Sequence, residues 1–453
     1  MSRKSEFPLA VLIDGDGFHP AGWLHPAAVT GQAGKIDRMI EMARVAEAAK
    51  IDLFFVADTP AARTDQLDIW RRWPKFMNVL EPMTLLARLA GETSHIGLGA
   101  TVSTSFFEPY NIARQFASLD HISNGRAAWN VVTSSNDYAP RNFGLDRLPP
   151  HNERYEKARE SVEIVKAYWD SWEDDAFVYD RQQSSSFDPA KQHPVDFKGK
   201  YFTVHGALNQ ARPPQGHPVI IQAGASGDGK ELAAETADVV FSAAGDLEAS
   251  RAFYSDLKGR MARYGRDPSE LKVLASLRCS IGKTRQEAVD KYHLLQSLIH
   301  PDVGIKMLSE QLGVDLGGLS LDEPIPPGVI PQTTNREKGF FERLRALILA
   351  HPTKTLREIY QLYDYGTAPI CGTPTEIADL LEEWIDTGAG DGFMLLFNTL
   401  PSDLNDFVEL VVPELQRRGR ARTEYTGQTL RDRLGLKHRA NPHPSRARDK
   451  MVS

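Results

Sequence analysis

The sequence predicts an α/β fold, a TIM (β/α)8 barrel with large insertions, and three observations predict it. Eight short apolar, β-rich runs recur along the 453 residues. Amphipathic stretches of helical period separate most of them. Polar residues crowd the C-terminal ends of several runs. Strands alternating with helices form right-handed βαβ units and a parallel sheet. Eight such units favour a closed barrel over the doubly wound open sheet, which is the alternative. A bare barrel needs roughly 250 residues, so a chain of this length leaves room for long insertions within a single domain.

The elements follow in order. LAVLID (9–14) reads as the first strand, and KIDRMIEMARVAEAAK (35–50) places Ile36, Met39, Ile40, Ala43, Val45 and Ala46 on one broad helical face. LFFVAD (53–58) is a buried strand, followed by a helix over 81–90. IGLGATVS (96–103) and AAWNVVTS (127–134) are strands that flank a helix over 110–122, and a long helix is expected over 152–172. The rhythm breaks at 173–216, a polar, Pro- and Ser-rich insertion. It resumes with PVIIQAG (218–224), a helix over 228–237, DVVFSAA (238–244) and a helix over 248–264. A strand over 272–281 and a helix over 285–298 follow. A second insertion, 300–356, contains Gly- and Pro-rich loops such as GVDLGG and PIPPGV. A helix over 374–386 and the strand GFMLLF (392–397) close the pattern.

Composition narrows the function. With 41% hydrophobic and 25% charged residues the chain has the make-up of a soluble globular protein. Two cysteines, Cys279 and Cys371, give no disulfide or metal framework and suit a reducing, cytoplasmic setting. No segment approaches the ~20 apolar residues of a membrane span. The net charge of −7 argues against nucleic acid as a partner. The basic stretch from Arg418 to Lys450 reads as a solvated terminus, with 437–453 a partly disordered tail.

Barrel chemistry sits at the C-terminal ends of the strands. Those ends carry Asp58, Thr101, Asn130, Thr133, Ser134 and Gln222. GASGDGK (224–230) follows a strand and opens a helix, so its backbone amides point at an anion with the helix dipole behind them. It falls short of a P-loop because Glu231 replaces the Mg²⁺-binding hydroxyl, and short of a nucleophile elbow because Asp228 replaces the last glycine. A phosphate cradle with Ser226 donating its hydroxyl survives, beside a plain strand-to-helix turn. His151 and Tyr155, four residues apart at a helix start, can face one phosphate. The thirteen histidines show no metal pattern. Trp70–Phe76 and Phe106-Phe107 are aromatic clusters that serve either as packing or as the wall of an apolar cavity.

These segments resemble the bacterial luciferase-like superfamily, in the branch of nitrilotriacetate, EDTA and dibenzothiophene-sulfone monooxygenases. The run IGLGATVSTSFFEPYNIARQFASLDHISNGRAAWNVVTS carries the resemblance, with NFGLDRLPPHNERYEKARE, PVIIQAGAS, GRDPSELKVL and the 407–436 segment. It covers nearly the whole chain.

The resemblance implies the oxygenase component of a two-component monooxygenase. Reduced FMN would come from a separate NAD(P)H-dependent flavin reductase and react with O2 through a C4a-hydroperoxyflavin. The family's cofactor contacts fall on Asp58, Thr101, His151, Tyr155 and Ser226, with Asn130 a further neighbour. Ser226, Tyr155 and His151 would hold the phosphate, and Asp58 and Thr101 would lie near the ring. No acid or base stands out as catalytic; His19 is one candidate. The 300–356 insertion and the 70–76 segment are candidate lids. Family habit implies a homodimer or homotetramer.

The substrate stays open. The first strand ends in LIDGDG where sulfone oxidisers carry a Phe pair, and Glu310-Gln311 stands where they carry a histidine, which weakens a sulfone reading. Arg71 and Arg72 would suit an aminopolycarboxylate. Trp70, Trp73, Phe76 and Phe106 suit an apolar or aromatic xenobiotic, halogenated rings included. A non-catalytic flavin-binding protein and a deazaflavin-dependent hydride-transfer enzyme are the readings from other classes.

Overall fold

The computed structural model describes residues 6–29, 35–75, 77–242, 245–333, 338–364 and 369–443. Phe76 and the tail from 444 onward therefore lie outside the described residues.

The strands are β1 (Leu9–Ile13), β2 (Leu53–Val56), β3 (Gly97–Ser103), β4 (Ala127–Val132), β5 (Val195–Lys198), β6 (Thr203–Gly206), β7 (Val219–Gln222), β8 (Val239–Ser242), β9 (Lys272–Ile281), β10 (Ile370–Gly372) and β11 (Gly392–Phe397). Eight of them pair in parallel in the cyclic order β1-β2-β3-β4-β7-β8-β9-β11, and β11 returns to β1. That is a closed (β/α)8 barrel, and its eight strands are those the sequence predicts. β10 adds alongside the end of β9, with Ile370 opposite Cys279. β5 and β6 form an antiparallel hairpin inside the first insertion.

Alternation along the strands sorts residues to the two faces. Leu9, Val11 and Ile13 of β1, Phe54 and Val56 of β2, and Phe393, Leu395 and Phe397 of β11 pack outward against the helices. Ala10, Leu53, Phe55, Ile221, Phe241, Leu274, Met394 and Leu396 fill the barrel interior. Leu430, Leu434 and Leu436 belong to that interior cluster, so the C-terminal segment plugs the barrel. A Cβ on Gly97 would come 2.6 Å from Leu430 Cδ1, so a larger residue at this strand start would push the Leu430 side chain aside. The plug therefore closes the N-terminal end and leaves the other end open.

The expectation of a solvated basic terminus is corrected here. Arg420, Arg431 and Arg433 are buried. Arg431 and Asp238 form an ion pair at 2.5 Å with side chains 1% and 2% exposed. Burial alone would raise the Asp238 pKa, but Arg431 and Arg439 outweigh it and hold the carboxyl well below its usual range. The 437–443 part of the tail is anchored too: Arg439 Nη2 donates to Asp238 at 2.8 Å and Asn441 Nδ2 to the Trp172 carbonyl at 2.8 Å. Arginines that read as solvated thus close the bottom of the barrel.

The second insertion is also more ordered than its loops suggest. It contains helices Pro301–Leu312 and Lys338–Ala350, and the helix Leu356–Leu362 begins at its end. Val303, Met307, Leu308, Phe341, Leu344 and Ile348 form a separate core with Leu356, Ile359 and Tyr360. Their helical spacing outweighs the Gly- and Pro-rich connections. Trp70 and Trp73 join this core, so the 67–75 segment and the insertion pack as one unit. No helix among the described residues is long and apolar enough to cross a membrane.

Candidate cofactor and active site

Two cavities meet at the C-terminal end of the barrel. The larger, about 330 Å³, is the barrel mouth. Leu12, Phe55, Phe241 and Met394 give it apolar walls, while Asp58, Thr101, Ser103 and Asn130 give it polar ones. The smaller, about 250 Å³, lies between β4, β7 and the helix His151–Trp169, and is lined by His151, Arg154, Tyr155 and Gly224. Val132, Ser134, Ser135 and Ala223 line both.

In the mouth, Asn130 Nδ2 donates to Thr101 Oγ1 at 3.0 Å. Asn130 is 4% exposed, and its Oδ1 has no hydrogen-bond partner among the described residues. A buried amide oxygen left without a donor costs about 1–3 kcal/mol. The arrangement makes sense if a bound molecule brings an N–H or O–H to it. Burial, reinforced by the charge of Glu81, pushes the Asp58 pKa up to about 6, against the lowering hydrogen bond from Thr59. Ser103 and Ser134 hydroxyls lie 2.8 Å apart, and Ser134 sits at a left-handed φ of 57°. A non-glycine residue held there stores strain at the rim that both cavities share.

In the second cavity, the turn after β7 delivers Gly224, then Ser226 as N-cap of the helix Gly227–Thr236. Ser226 Oγ accepts from Gly229 N at 3.1 Å, which leaves its O–H free to donate. A Cβ on Gly224 would lie 2.9 Å from Gly229 Cα and 3.2 Å from Tyr155 Oη. The two glycines are thus the close backbone approach that exposes a helix N-terminus, and the Tyr155 hydroxyl points into that approach. His151 Nδ1 lies 3.0 Å from Asp228 Oδ2, which places both on the same rim.

The five expected cofactor residues therefore gather in two connected places. Asp58 and Thr101 line the mouth. His151 and Tyr155 line the anion end, with Ser226 two residues beyond the lining Gly224. A group with a flat polar ring at one end and a phosphate at the other fits this shape: the orphan Asn130 oxygen faces one end and the glycine cradle the other.

Other expectations land elsewhere. His19 is 3% exposed; its Nδ1 accepts from Ala21 N at 3.0 Å and its Nε2 lies 3.0 Å from Gln296 Oε1. Burial lowers its pKa to about 3, and its two ring nitrogens are engaged with the Ala21 amide and Gln296. Trp70 is packed in the insertion core, with Arg63 over its ring, and lines no cavity wall at the mouth. Phe106 stacks on Phe143 at 4.5 Å. Arg71 is exposed beside Asp68, and Arg72 is bound to His300 and Asp302, so neither supplies a cationic pocket at the mouth.

Sequence reasoning missed Arg154. Its Nε donates to the Pro149 carbonyl and its Nη1 to the Thr133 and Ser134 carbonyls, fixing the rim after β4 beside the anion end. The signal was present: His151, Arg154 and Tyr155 stand at i, i+3 and i+4 and so share one helix face.

The profile of the luciferase-like monooxygenases matches residues 18–391. The chain is 43% identical over 443 residues to the N-acetyl-S-(2-succino)cysteine monooxygenase of Bacillus subtilis (strain 168), covering 97% of this chain and 99% of that one. It is 45% identical over 449 residues to component A of the nitrilotriacetate monooxygenase of Aminobacter aminovorans, covering 96% and 98%. A riboflavin lyase solved with modified FMN and riboflavin superposes with a TM-score of 0.81 at 29% identity, covering 96% of this chain and 97% of that one.

Proposed function

The chain belongs to the luciferase-like monooxygenase family and is an enzyme of the flavin-dependent monooxygenase type, and we propose that it is the oxygenase component of a two-component system. A separate NAD(P)H-dependent flavin reductase supplies its reduced FMN; the relative named as component A supports this division. The observation that carries the reading is the continuity of the two cavities, one with the unpartnered Asn130 oxygen and one ending at the glycine cradle.

Ser226, Tyr155 and His151 hold the phosphate, with the helix dipole of Gly227–Thr236 aimed at it. Asp58, Thr101 and Asn130 lie at the ring. Bound reduced flavin supplies the electrons that activate O2 for transfer of one oxygen atom to an organic substrate. The chain's part is to bind, orient and keep water out. Leu12, Phe55, Phe241 and Met394 exclude water from the reacting end, which protects an oxygen-activating centre from unproductive breakdown. The same apolar wall suits an apolar or aromatic portion of a substrate, a halogenated ring included. A cytoplasmic homodimer or homotetramer completes the reading.

The test is reconstitution. The purified chain with FMN, NADH and a generic flavin reductase is expected to incorporate ¹⁸O from ¹⁸O2 into a substrate, read by mass spectrometry. Turnover by the chain with NAD(P)H and no reductase would refute the two-component reading. Tight FMN binding without oxygen incorporation across a broad substrate panel would favour a non-catalytic flavin carrier.

A further inference from the structure

We propose that Ser134, at the junction of the two cavities, recognises the polyhydroxy chain of the flavin, so that binding selects for a sugar-alcohol linker as well as for a ring and a phosphate. The inference rests on the flavin reading of the barrel mouth and its anion end.

The place follows from the lining. Among the described residues, Val132, Ser134, Ser135 and Ala223 line both cavities. Val132 and Ala223 carry no polar side-chain atom, and Ser135 is exposed. Ser134 is half-buried and carries a hydroxyl. Asp58 and Thr101 lie on one side of this junction, and His151 and Tyr155 on the other. A molecule that spans the two cavities passes Ser134 with its middle. In a flavin mononucleotide the middle, between ring and phosphate, is the ribityl chain with its hydroxyls.

Hydroxyl accounting selects the ligand chemistry. Ser103 Oγ accepts from Ser105 N at 3.2 Å and lies 2.8 Å from Ser134 Oγ. Each serine hydroxyl has one proton and two lone pairs. If Ser103 donates to Ser134, the Ser134 proton is left to donate into the junction. If Ser134 donates to Ser103, the Ser134 lone pairs are left to accept. An alcohol serves either arrangement, because it donates and accepts through one oxygen. A phosphate dianion or a ring carbonyl only accepts, and so suits only the first.

The backbone holds this hydroxyl at the junction. Ser134 has a φ of 57°, a conformation that glycine adopts readily and other residues seldom do. Glycine would suit the turn better but would bring no hydroxyl. The turn is clamped from two sides. Arg154 Nη1 donates to the Thr133 carbonyl at 3.1 Å and also to the Ser134 carbonyl. Ser105 Oγ donates to the Thr133 carbonyl at 2.7 Å. Backbone strain persists where the surroundings enforce it, and it concentrates at ligand sites.

The experiment compares Ser134→Gly and Ser134→Ala with the wild type, all full-length, by anaerobic titration with reduced FMN, reduced riboflavin and reduced lumiflavin. Riboflavin lacks the phosphate, and lumiflavin lacks the chain as well. Both variants are expected to bind FMN and riboflavin about 3- to 10-fold more weakly, the loss of one neutral hydrogen bond, with lumiflavin affinity unchanged. Ser134→Gly is expected to melt no lower than the wild type, because it removes the strained backbone. If melting shows one variant unfolded, the other decides. Unchanged riboflavin affinity in a folded variant, a wild type that binds riboflavin no more tightly than lumiflavin, or an equal loss for lumiflavin would each overturn the proposal. Where lumiflavin binds neither protein, the riboflavin loss decides. A wild type that binds no reduced FMN would instead sink the flavin reading itself, which keeps the two failures apart.

Discussion

Replacing Gly229 by alanine sets helix propensity against the glycine cradle. Gly229 is the third residue of the helix Gly227–Thr236, and its backbone is not in the left-handed region. In an exposed helix, glycine to alanine gains about 1 kcal/mol. Here the new Cβ would stand 2.9 Å from Gly224 Cα, 3.0 Å from the Gly224 carbonyl carbon and 3.1 Å from Tyr155 Oη. Carbon atoms settle at about 3.5–4.0 Å, so the helix start and the β7 turn must separate by about 0.7 Å. The nearest atoms are backbone and have no rotamer to escape into. Overpacking of this kind costs about 1–3 kcal/mol, which cancels or exceeds the propensity gain. The same displacement moves Ser226 and the helix amides away from Tyr155. Losing one charged hydrogen bond to a phosphate weakens binding by about 1.5–3 kcal/mol, or about 10- to 150-fold. Thermal melting and anaerobic titration with reduced FMN check both numbers. A G229A protein that melts higher than wild type and binds reduced FMN equally well would refute the cradle.

Three further outcomes are expected. Ser226→Asp keeps a good N-cap, so melting should change little, but its carboxylate faces the phosphate and FMN affinity should fall at least about tenfold; equal affinity would remove Ser226 from the phosphate site. Asp58 has a pKa raised to about 6 in the folded protein, so the folded state binds its proton more tightly than the unfolded state, and stability falls as pH rises from about 4 through 6. Asp58→Asn should flatten that segment of the stability–pH curve, and an unchanged curve would show that burial is not what disfavours the charge. Arg431→Met leaves Asp238 with Arg439 alone in a site where both paired side chains are almost fully buried; breaking such a pair costs about 3–5 kcal/mol, so the melting temperature should drop by several degrees with FMN affinity unchanged.

The barrel was legible because strand burial leaves a local mark. LFFV and GFMLLF are continuous apolar runs, and strands buried on both faces read that way. The phosphate end was legible for a related reason: Gly224, the N-cap Ser226, Gly229 and the helix start fall within six residues. The mouth needed more. Asn130 is marked only by its strand-end position, and its missing partner exists only once β3 supplies Thr101 beside it. The C-terminal arginines misled because charge runs usually face water. Their partners Asp52, Asp238 and Glu382 come from distant parts of the chain, and no local pattern announces such pairs. Trp70 and Trp73 misled likewise, since the surface they cover is built by an insertion more than 200 residues later in the sequence.

The two ends of the barrel divide stability from function by how they treat buried polar groups. At the closed end, aspartates preceding strands bind the neighbouring strand directly. Asp52 Oδ2 accepts from Leu9 N at 2.9 Å, Asp238 Oδ2 from Ile220 N at 3.0 Å, and Asp391 Oδ2 from Val273 N at 2.8 Å. Asp52 and Asp238 are matched in turn by arginines of the C-terminal segment. At the open end the Asn130 oxygen has no donor among the described residues, and Ser134 keeps a left-handed backbone. Each of these costs free energy. A ligand in the mouth would relieve them. A bound cofactor that supplies the missing donor would therefore stabilise the mouth more than its buried area alone accounts for, which makes flavin-dependent thermal stabilisation the most direct measure of how far the site is built in advance.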